Sequence, residues 1–90
     1  MSQPVVYILL SQKDQRTYVG YTSNLGKRVY EHNSGKVKAT TSRRPFLVLY
    51  TEKFNNLEDA KKREKYYKTG AGRKKLKEYF KNKYGSPPIL

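Results

Sequence analysis

The sequence predicts a small α+β domain in which helices flank a three-stranded, mainly antiparallel sheet, in the order β-β-α-β-α-α. Three observations predict this class. The chain has only 90 residues and no cysteine, so one modest core must form without disulfides or a thiolate zinc site. Residues 5–10 and 46–54 are largely apolar runs of strand length. Polar segments with helical spacing follow the second and third strands.

The first two strands are predicted to form a hairpin. Residues 5–10 are apolar on both alternating faces, which is typical of a central strand covered on both sides. A polar turn leads into a second strand at 16–22. If the loop is centred between residues 12 and 13, Tyr7 lies directly opposite Tyr18 on the same face of the sheet.

Asparagine residues mark the predicted starts of the first two helices. Ser23 or Asn24 can cap a helix that runs to about residue 33, and Asn55 or Asn56 can cap one that runs to about residue 68. Between the first helix and the third strand, residues 36–45 form a polar, basic loop.

The C-terminal part is predicted to be one more helix and a tail. Residues 69–72, Thr-Gly-Ala-Gly, are expected to break the helical path. A third helix then runs from about residue 73 to 84, with Leu76, Tyr79 and Phe80 on its buried side. The glycine and prolines after residue 84 end it, so we expect a domain over residues 1–84 and a tail over 85–90.

Charge is the strongest compositional signal. Twenty Lys and Arg against seven Asp and Glu give a net charge of +13, which attracts polyanions. Alternatives are a ribosome-associated protein or a basic surface that maintains solubility. The cations expected to contact nucleic acid lie in the basic loop and around the predicted helix break: Lys36, Lys38, Arg43, Arg44, Lys68, Arg73, Lys74 and Lys75.

Glu64 is the most informative single residue. It shares one predicted helix face with Leu57, Ala60 and Tyr67, where an apolar residue would be expected. A carboxylate on that face costs free energy unless it is paired or holds a cation. An ion pair with Lys61 or Lys68 is the alternative, and helical spacing alone favours it.

Arg28 and His32 form a second candidate pair. They lie four residues apart on the first helix and therefore share a face. An arginine there can hold a phosphate through two hydrogen bonds, and an imidazole can transfer a proton near neutral pH. The alternative is a surface arginine beside a histidine that stabilises the end of the helix.

Tyr7, Tyr18 and Gly20 form a third candidate group. Two tyrosines on facing strands can place both hydroxyls at one edge of the sheet, although core packing alone also explains them. Gly20 weakens a strand interior, which suggests that another group needs the space.

Several other classes of protein find no support. No Walker-type loop, Cys/His zinc spacing or export signal is present, and the apolar segment 5–10 is too short to span a bilayer. We therefore expect a cytoplasmic protein without a membrane partner.

Taken together, these segments resemble the GIY-YIG nuclease superfamily, especially its compact, single-domain bacterial members, over residues 4–84. Val5-Val6-Tyr7 stands where the family has Gly-Ile-Tyr, and Tyr18-Val19-Gly20 where it has Tyr-Ile-Gly. Residues 24–33 resemble the helix with the family's arginine and histidine, and residues 60–68 the helix with its metal-ligating glutamate. Val5 departs from the leading glycine, and the polar residue that some members carry beyond the glutamate has no clear counterpart.

The resemblance implies a role for each candidate. Glu64 would bind one Mg²⁺ or Mn²⁺ ion, Tyr7 or Tyr18 would position or activate the attacking water, and Arg28 would stabilise charge on the phosphate. His32 would assist proton movement or hold a tyrosine hydroxyl. The implied activity is endonucleolytic hydrolysis of phosphodiester bonds, with DNA as the expected substrate, in repair or processing, leaving a 5′ phosphate and a 3′ hydroxyl.

Two rival functions remain open at this point. The first is a basic nucleic-acid-binding module without catalysis, and the second is a nuclease subunit that needs a protein partner for activity and specificity.

Overall fold

The computed structural model describes residues 3–85 and confirms the predicted α+β class and element order. The strands and helices are β1 Val5–Ser11, β2 Thr17–Thr22, α1 Leu25–Ser34, β3 Phe46–Lys53, α2 Leu57–Tyr67 and α3 Gly70–Tyr84, with a short 3₁₀ turn at Thr41–Arg43. Residues 86–90 of the predicted tail lie outside the described residues, so the division at residue 84 stays a prediction.

The sheet has the order β2-β1-β3, and both pairings are antiparallel. The predicted central position of β1 is therefore correct. The predicted pairing of Tyr7 with Tyr18 is wrong, because Tyr7 pairs with Gly20 and Tyr18 pairs with Leu9. Since this is a shift of two residues, the two tyrosines still share a face.

The hairpin turn explains the shifted register. β1 continues to Ser11, whose amide donates to the carbonyl of Arg16 over 2.9 Å and whose side-chain oxygen accepts from the amides of Lys13 and Asp14 over 3.2 Å. Gln15 closes the turn with a φ of 60°, in the left-handed region. The turn is consequently centred between Lys13 and Asp14, one residue later than predicted.

Each face of the sheet packs against different helices. On one face, β1 contributes Val6 and Ile8 to a core with four buried residues of α2 and α3: Ala60, Tyr67, Leu76 and Phe80. On the other face, Tyr7, Leu9 and Phe46 are buried, with partly buried packing from Tyr18 and from Leu25 and Val29 of α1. None of the helices between residues 3 and 85 combines the length and apolar character needed to cross a membrane.

The junction between α2 and α3 is tighter than predicted. The predicted break is present but shorter, because α2 ends at Tyr67, Thr69 caps α3, and α3 begins at Gly70, three residues earlier than predicted. An ideal Cβ at Gly72 would lie 2.7 Å from the Tyr66 carbonyl carbon, so this glycine permits close packing of the two helices. Tyr79, predicted to be buried, is 38% exposed, whereas Leu76 and Phe80 are buried as expected.

Candidate active site

Tyr7 lies at the centre of the candidate site. Its side chain is buried, and its ring covers Gly20, where an ideal Cβ would lie 2.5 Å from the Cζ atom of Tyr7. The expectation that another group needs the space at Gly20 is confirmed. The hydroxyl oxygen of Tyr7 lies 2.9 Å from Nε2 of His32, at hydrogen-bond distance.

His32 is completely buried near the end of α1. Its Nδ1 atom lies 2.8 Å from the hydroxyl oxygen of Thr40, which is also fully buried. Both ring nitrogens therefore have partners, so a role in stabilising the end of the helix does not by itself account for the contacts of His32. The result is a buried chain of three polar side chains: Tyr7, His32 and Thr40.

Tyr18 packs beside this chain on the same side of the sheet. Its ring centroid lies 6.5 Å from that of Tyr7 and 5.1 Å from that of His32. The ring of Phe46 also packs against the imidazole, edge to face, with the ring centroids 5.9 Å apart. The aromatic rings thus fix the orientation of His32, and both phenols belong to one cluster.

Arg28 borders the cluster from the preceding turn of α1. Its side chain is 37% exposed, and its guanidinium donates to the Glu31 carboxylate over 3.2 Å. Interaction with the Tyr7 hydroxyl is the main cause that raises the pKa of Arg28. The arginine therefore directs a permanent positive charge towards the phenol and keeps another part of its surface open to a ligand.

Burial controls the protonation of the two central groups. It raises the pKa of Tyr7 above the ordinary value of 10.0, with Arg28 acting in the opposite direction and the charges of Tyr18 and Glu64 adding to the rise. Burial also lowers the pKa of His32 below its ordinary value of 6.5. The positive charge of Arg28 lowers this pKa further, whereas the negative charge of Glu31 raises it. At neutral pH a protonated phenol consequently faces an uncharged imidazole.

Glu64 approaches from α2, which packs on the opposite face of the sheet. Its side chain is only 14% exposed, and Nζ of Lys68 donates to its carboxylate over 3.0 Å. The predicted ion pair therefore forms. The carboxylate is nevertheless close enough to raise the pKa of Tyr7. The negative charge of Glu64, on the helix that packs against the opposite face of the sheet, therefore acts on the Tyr7 hydroxyl.

The donor set at Glu64 fits a weakly held hard cation. Residues 3–85 contain no cluster of three or more His, Asp or Glu side chains able to hold a metal ion by themselves. One sheltered carboxylate, already facing a cation in the Lys68 ammonium, suits Mg²⁺ or Mn²⁺, which retain waters and share substrate phosphate oxygens. Glu64 alone would supply the protein ligand.

Two cavities adjoin the cluster. An open one of about 600 Å³ lies where β2, α1 and α2 meet and includes Asn24, Lys27 and Arg28. A smaller one of about 220 Å³ lies between β2, α2 and α3 and includes Tyr18, Lys68 and Arg73. Both are bordered by cations, so either can receive part of an anionic chain. Lys27 was not among the predicted contacts.

The eight cations predicted to contact nucleic acid differ in their surroundings. Arg43 is held by Asp14 at 2.9 Å, which lowers the pKa of that carboxyl to about 2. Lys36 lies over the ring of Tyr30, and Arg44 donates to the carbonyl of Thr41. Those least committed to internal contacts lie at the start of α3 and in the basic loop: Lys38, Arg73, Lys74 and Lys75.

Two members of the cluster had not been predicted. Glu31 had an available signal, because its spacing of three residues from Arg28 permits an ion pair on one helix face. Thr40 had none, because its contact with His32 depends on how the loop folds back over α1.

Gly20→Ala is expected to destabilise the protein by about 1–3 kcal/mol, because the added methyl group must displace the buried Tyr7 ring. Chemical denaturation measures the change. Gly26→Ala is the matched control, since the ideal Cβ of this exposed helical glycine makes only an ordinary contact, 4.0 Å from Oδ1 of Asn24, and alanine there should gain up to about 1 kcal/mol. Equal stability of the Gly20 variant and the wild type would contradict the close approach of Tyr7.

Comparisons with known proteins bear on this arrangement. The family model described as the GIY-YIG catalytic domain matches residues 3–84. The chain is 41% identical to a UPF0213 protein of Staphylococcus haemolyticus over 78 residues, covering 86% of this chain and 94% of the relative. It is 38% identical to the UPF0213 protein YazA of Bacillus subtilis over 81 residues, covering 89% and 81%. No solved structure matches the chain.

Proposed function

The chain belongs to the GIY-YIG catalytic domain family, and from this premise we propose that it is a divalent-metal-dependent endonuclease that hydrolyses phosphodiester bonds, with DNA as the expected substrate. One observation carries the proposal. The buried phenol of Tyr7 lies at hydrogen-bond distance from the uncharged imidazole of His32. The charges of Arg28 and Glu64 both act on its pKa, Arg28 lowering it and Glu64 raising it. A structural tyrosine does not require this convergence of a base, a cation and a sheltered carboxylate.

The proposed reaction starts with a water molecule next to the Tyr7 hydroxyl. As the water oxygen attacks phosphorus, its proton passes to the oxygen of Tyr7, and the proton of Tyr7 passes to Nε2 of His32. The bond from phosphorus to the 3′ oxygen breaks, and that oxygen takes a proton from solvent. The products are a 5′ phosphate and a 3′ hydroxyl.

Arg28 is proposed to bind the scissile phosphate. Its guanidinium is positioned by Glu31, borders the larger cavity beside Lys27 and interacts with the Tyr7 hydroxyl. It can thus donate to a phosphate oxygen beside the attacking water and stabilise the negative charge that develops there.

Glu64 is proposed to hold the metal ion. A bound Mg²⁺ or Mn²⁺ supplies charge neutralisation at the phosphate and its leaving oxygen. Lys68 must then release the carboxylate. Its half-exposed side chain can turn towards the smaller cavity, where Arg73 also lies, and contact a neighbouring phosphate.

A basic binding module without catalysis is the second candidate function. The Glu64–Lys68 ion pair favours it, because that pair already neutralises the one sheltered carboxylate of the site. The net charge of +13 also supports affinity for nucleic acid without any chemistry. A need for a protein partner, a role in DNA repair or processing and a cytoplasmic location remain proposals.

A metal-removal experiment separates the two functions. The purified chain is expected to cut end-labelled plain, nicked or branched DNA in Mg²⁺ or Mn²⁺, and to stop when EDTA removes the ion. RNA of the same sequence tests the choice of substrate. Salt-sensitive binding without products on any of these substrates would instead support the binding module. Cleavage that persists in EDTA would contradict the metal requirement.

A further inference from the structure

The hydroxyl of Thr40 has a position that the proposed reaction has not yet used. It is fully buried and lies 2.8 Å from Nδ1 of His32, on the opposite side of the ring from Tyr7. The same hydroxyl donates to the carbonyl of Val37 over 3.4 Å. Thr40 therefore joins the imidazole to the backbone of the loop.

The two contacts of the Thr40 hydroxyl point to one arrangement of protons. A threonine hydroxyl has a single hydrogen, and if it goes to Val37, the oxygen can only accept from Nδ1–H of His32. In an uncharged imidazole the other nitrogen, Nε2, then carries the lone pair. That lone pair faces the hydroxyl of Tyr7.

The Tyr7 end of this series of side chains fits the same arrangement. The hydroxyl oxygen of Tyr7 lies 2.9 Å from Nε2 of His32, and the charge of Arg28 acts against the burial that raises the pKa of the phenol. With the imidazole proton on Nδ1, Nε2 accepts the phenol proton.

We propose that Thr40 is a positioning residue that holds His32 in the tautomer protonated on Nδ1, so that Nε2 accepts the proton of Tyr7. The catalytic part of this inference rests on the proposed nuclease function, whereas the tautomer assignment does not. Thr40 itself would touch neither the substrate nor the metal ion.

The loop that carries Thr40 is built to hold it in place. Gly35 ends α1 with a φ of 85°, which turns the chain back over the last turn of the helix. The hydroxyl of Thr41 donates to the Gly35 carbonyl over 2.6 Å, and the amide of Arg43 donates to the Thr40 carbonyl over 2.9 Å. These bonds on both sides of Thr40 restrict the position of its hydroxyl relative to the ring.

Thr40→Val and Thr40→Ser form a matched pair for the test. Valine keeps the shape of threonine and removes the hydroxyl, whereas serine retains it. Because His32 is the only histidine, ¹⁵N NMR of the imidazole reports its tautomer without overlap. We expect the Nδ1–H form in the wild type and the serine variant, and a mixture of tautomers in the valine variant. Single-turnover cleavage should fall about 10- to 100-fold in the valine variant and recover in the serine variant.

The outcomes distinguish this inference from the proposed function. A wild-type ring protonated on Nε2, or a Thr40→Val variant with unchanged tautomer populations, would overturn the inference whatever the cleavage rates. The expected NMR result in a protein that cuts no substrate would overturn the nuclease function and the catalytic part of the role, and would leave the tautomer assignment intact. If the valine variant fails to fold, the wild-type spectrum still decides the tautomer.

Discussion

Replacing Glu64 by glutamine is expected to lower Mg²⁺-dependent cleavage by about 10²- to 10³-fold and to leave the fold intact. The amide keeps the volume of the side chain but removes the negative charge that would hold the ion, and losses of this size are typical when one stabilising group of a reaction centre is removed. The ion pair with Lys68 adds little stability, since that lysine is half exposed. Single-turnover cleavage at saturating enzyme measures the effect.

Glu58→Gln provides the control for Glu64→Gln. Glu58 lies in the first turn of the same helix, is exposed and has no predicted role. Its removal changes the net charge by the same amount, so a general electrostatic effect on nucleic-acid binding would appear equally in both variants. Equal cleavage by the Glu64 variant and the wild type would refute the metal-binding role.

Tyr7→Phe is expected to reduce cleavage by about 10²- to 10⁴-fold, because it removes the group proposed to accept the proton of the attacking water. The change also leaves Nε2 of the buried His32 without a partner, which should lower the free energy of unfolding by about 1–3 kcal/mol. The rate is therefore measured well below the midpoint of unfolding, where the variant remains folded.

Two further tyrosine variants show whether the loss of cleavage rate is specific to the Tyr7 hydroxyl. Tyr66→Phe removes a hydroxyl on the opposite face of the sheet and should leave the rate unchanged. Tyr18→Phe should cost less than Tyr7→Phe, because Tyr18 contacts His32 through its ring whereas the Tyr7 hydroxyl faces Nε2. A large loss in the Tyr18 variant with none in the Tyr7 variant would exchange the proposed roles.

The elements of the fold followed from local signals, but their exact pairing did not. The doubly apolar β1 segment and the asparagine caps at Asn24 and Asn56 predicted the observed architecture. The register depended on the left-handed Gln15 and on the hydrogen bonds of Ser11 within the turn. Neither feature leaves a distinct pattern in the residue types of that turn.

The start of α3 shows a similar limit. Two glycines in residues 69–72 normally indicate an interruption, yet Thr69 caps a helix that includes both of them. Gly72 is required there because α2 approaches closely. The approach of a second helix is a tertiary feature, so the two glycines predicted a later start of α3 than the structure has.

Tyr7, Tyr18, Arg28 and His32 were candidates from the sequence, whereas Glu31, Thr40 and the connections between these side chains were not predicted. Helical spacing placed Arg28 and His32 on one face but left the role of the histidine undecided, since a histidine that stabilises the end of the helix fits the same spacing. The structure brings His32 together with Tyr7 and Tyr18. Its link to Thr40 was out of reach, because that contact forms only when the loop turns back at Gly35.

The central claim is that a phenol on one face of the sheet and a carboxylate on the other serve a single reaction. Single-turnover cleavage of one DNA oligonucleotide in Mg²⁺ by the wild type, Glu64→Gln, Tyr7→Phe and the double variant tests it most directly. When two groups act as a unit, removing either one already abolishes nearly all of their joint contribution to the rate. The double variant should therefore be no slower than the slower single variant. Losses that multiply in the double variant would show two independent contributions and contradict the claim.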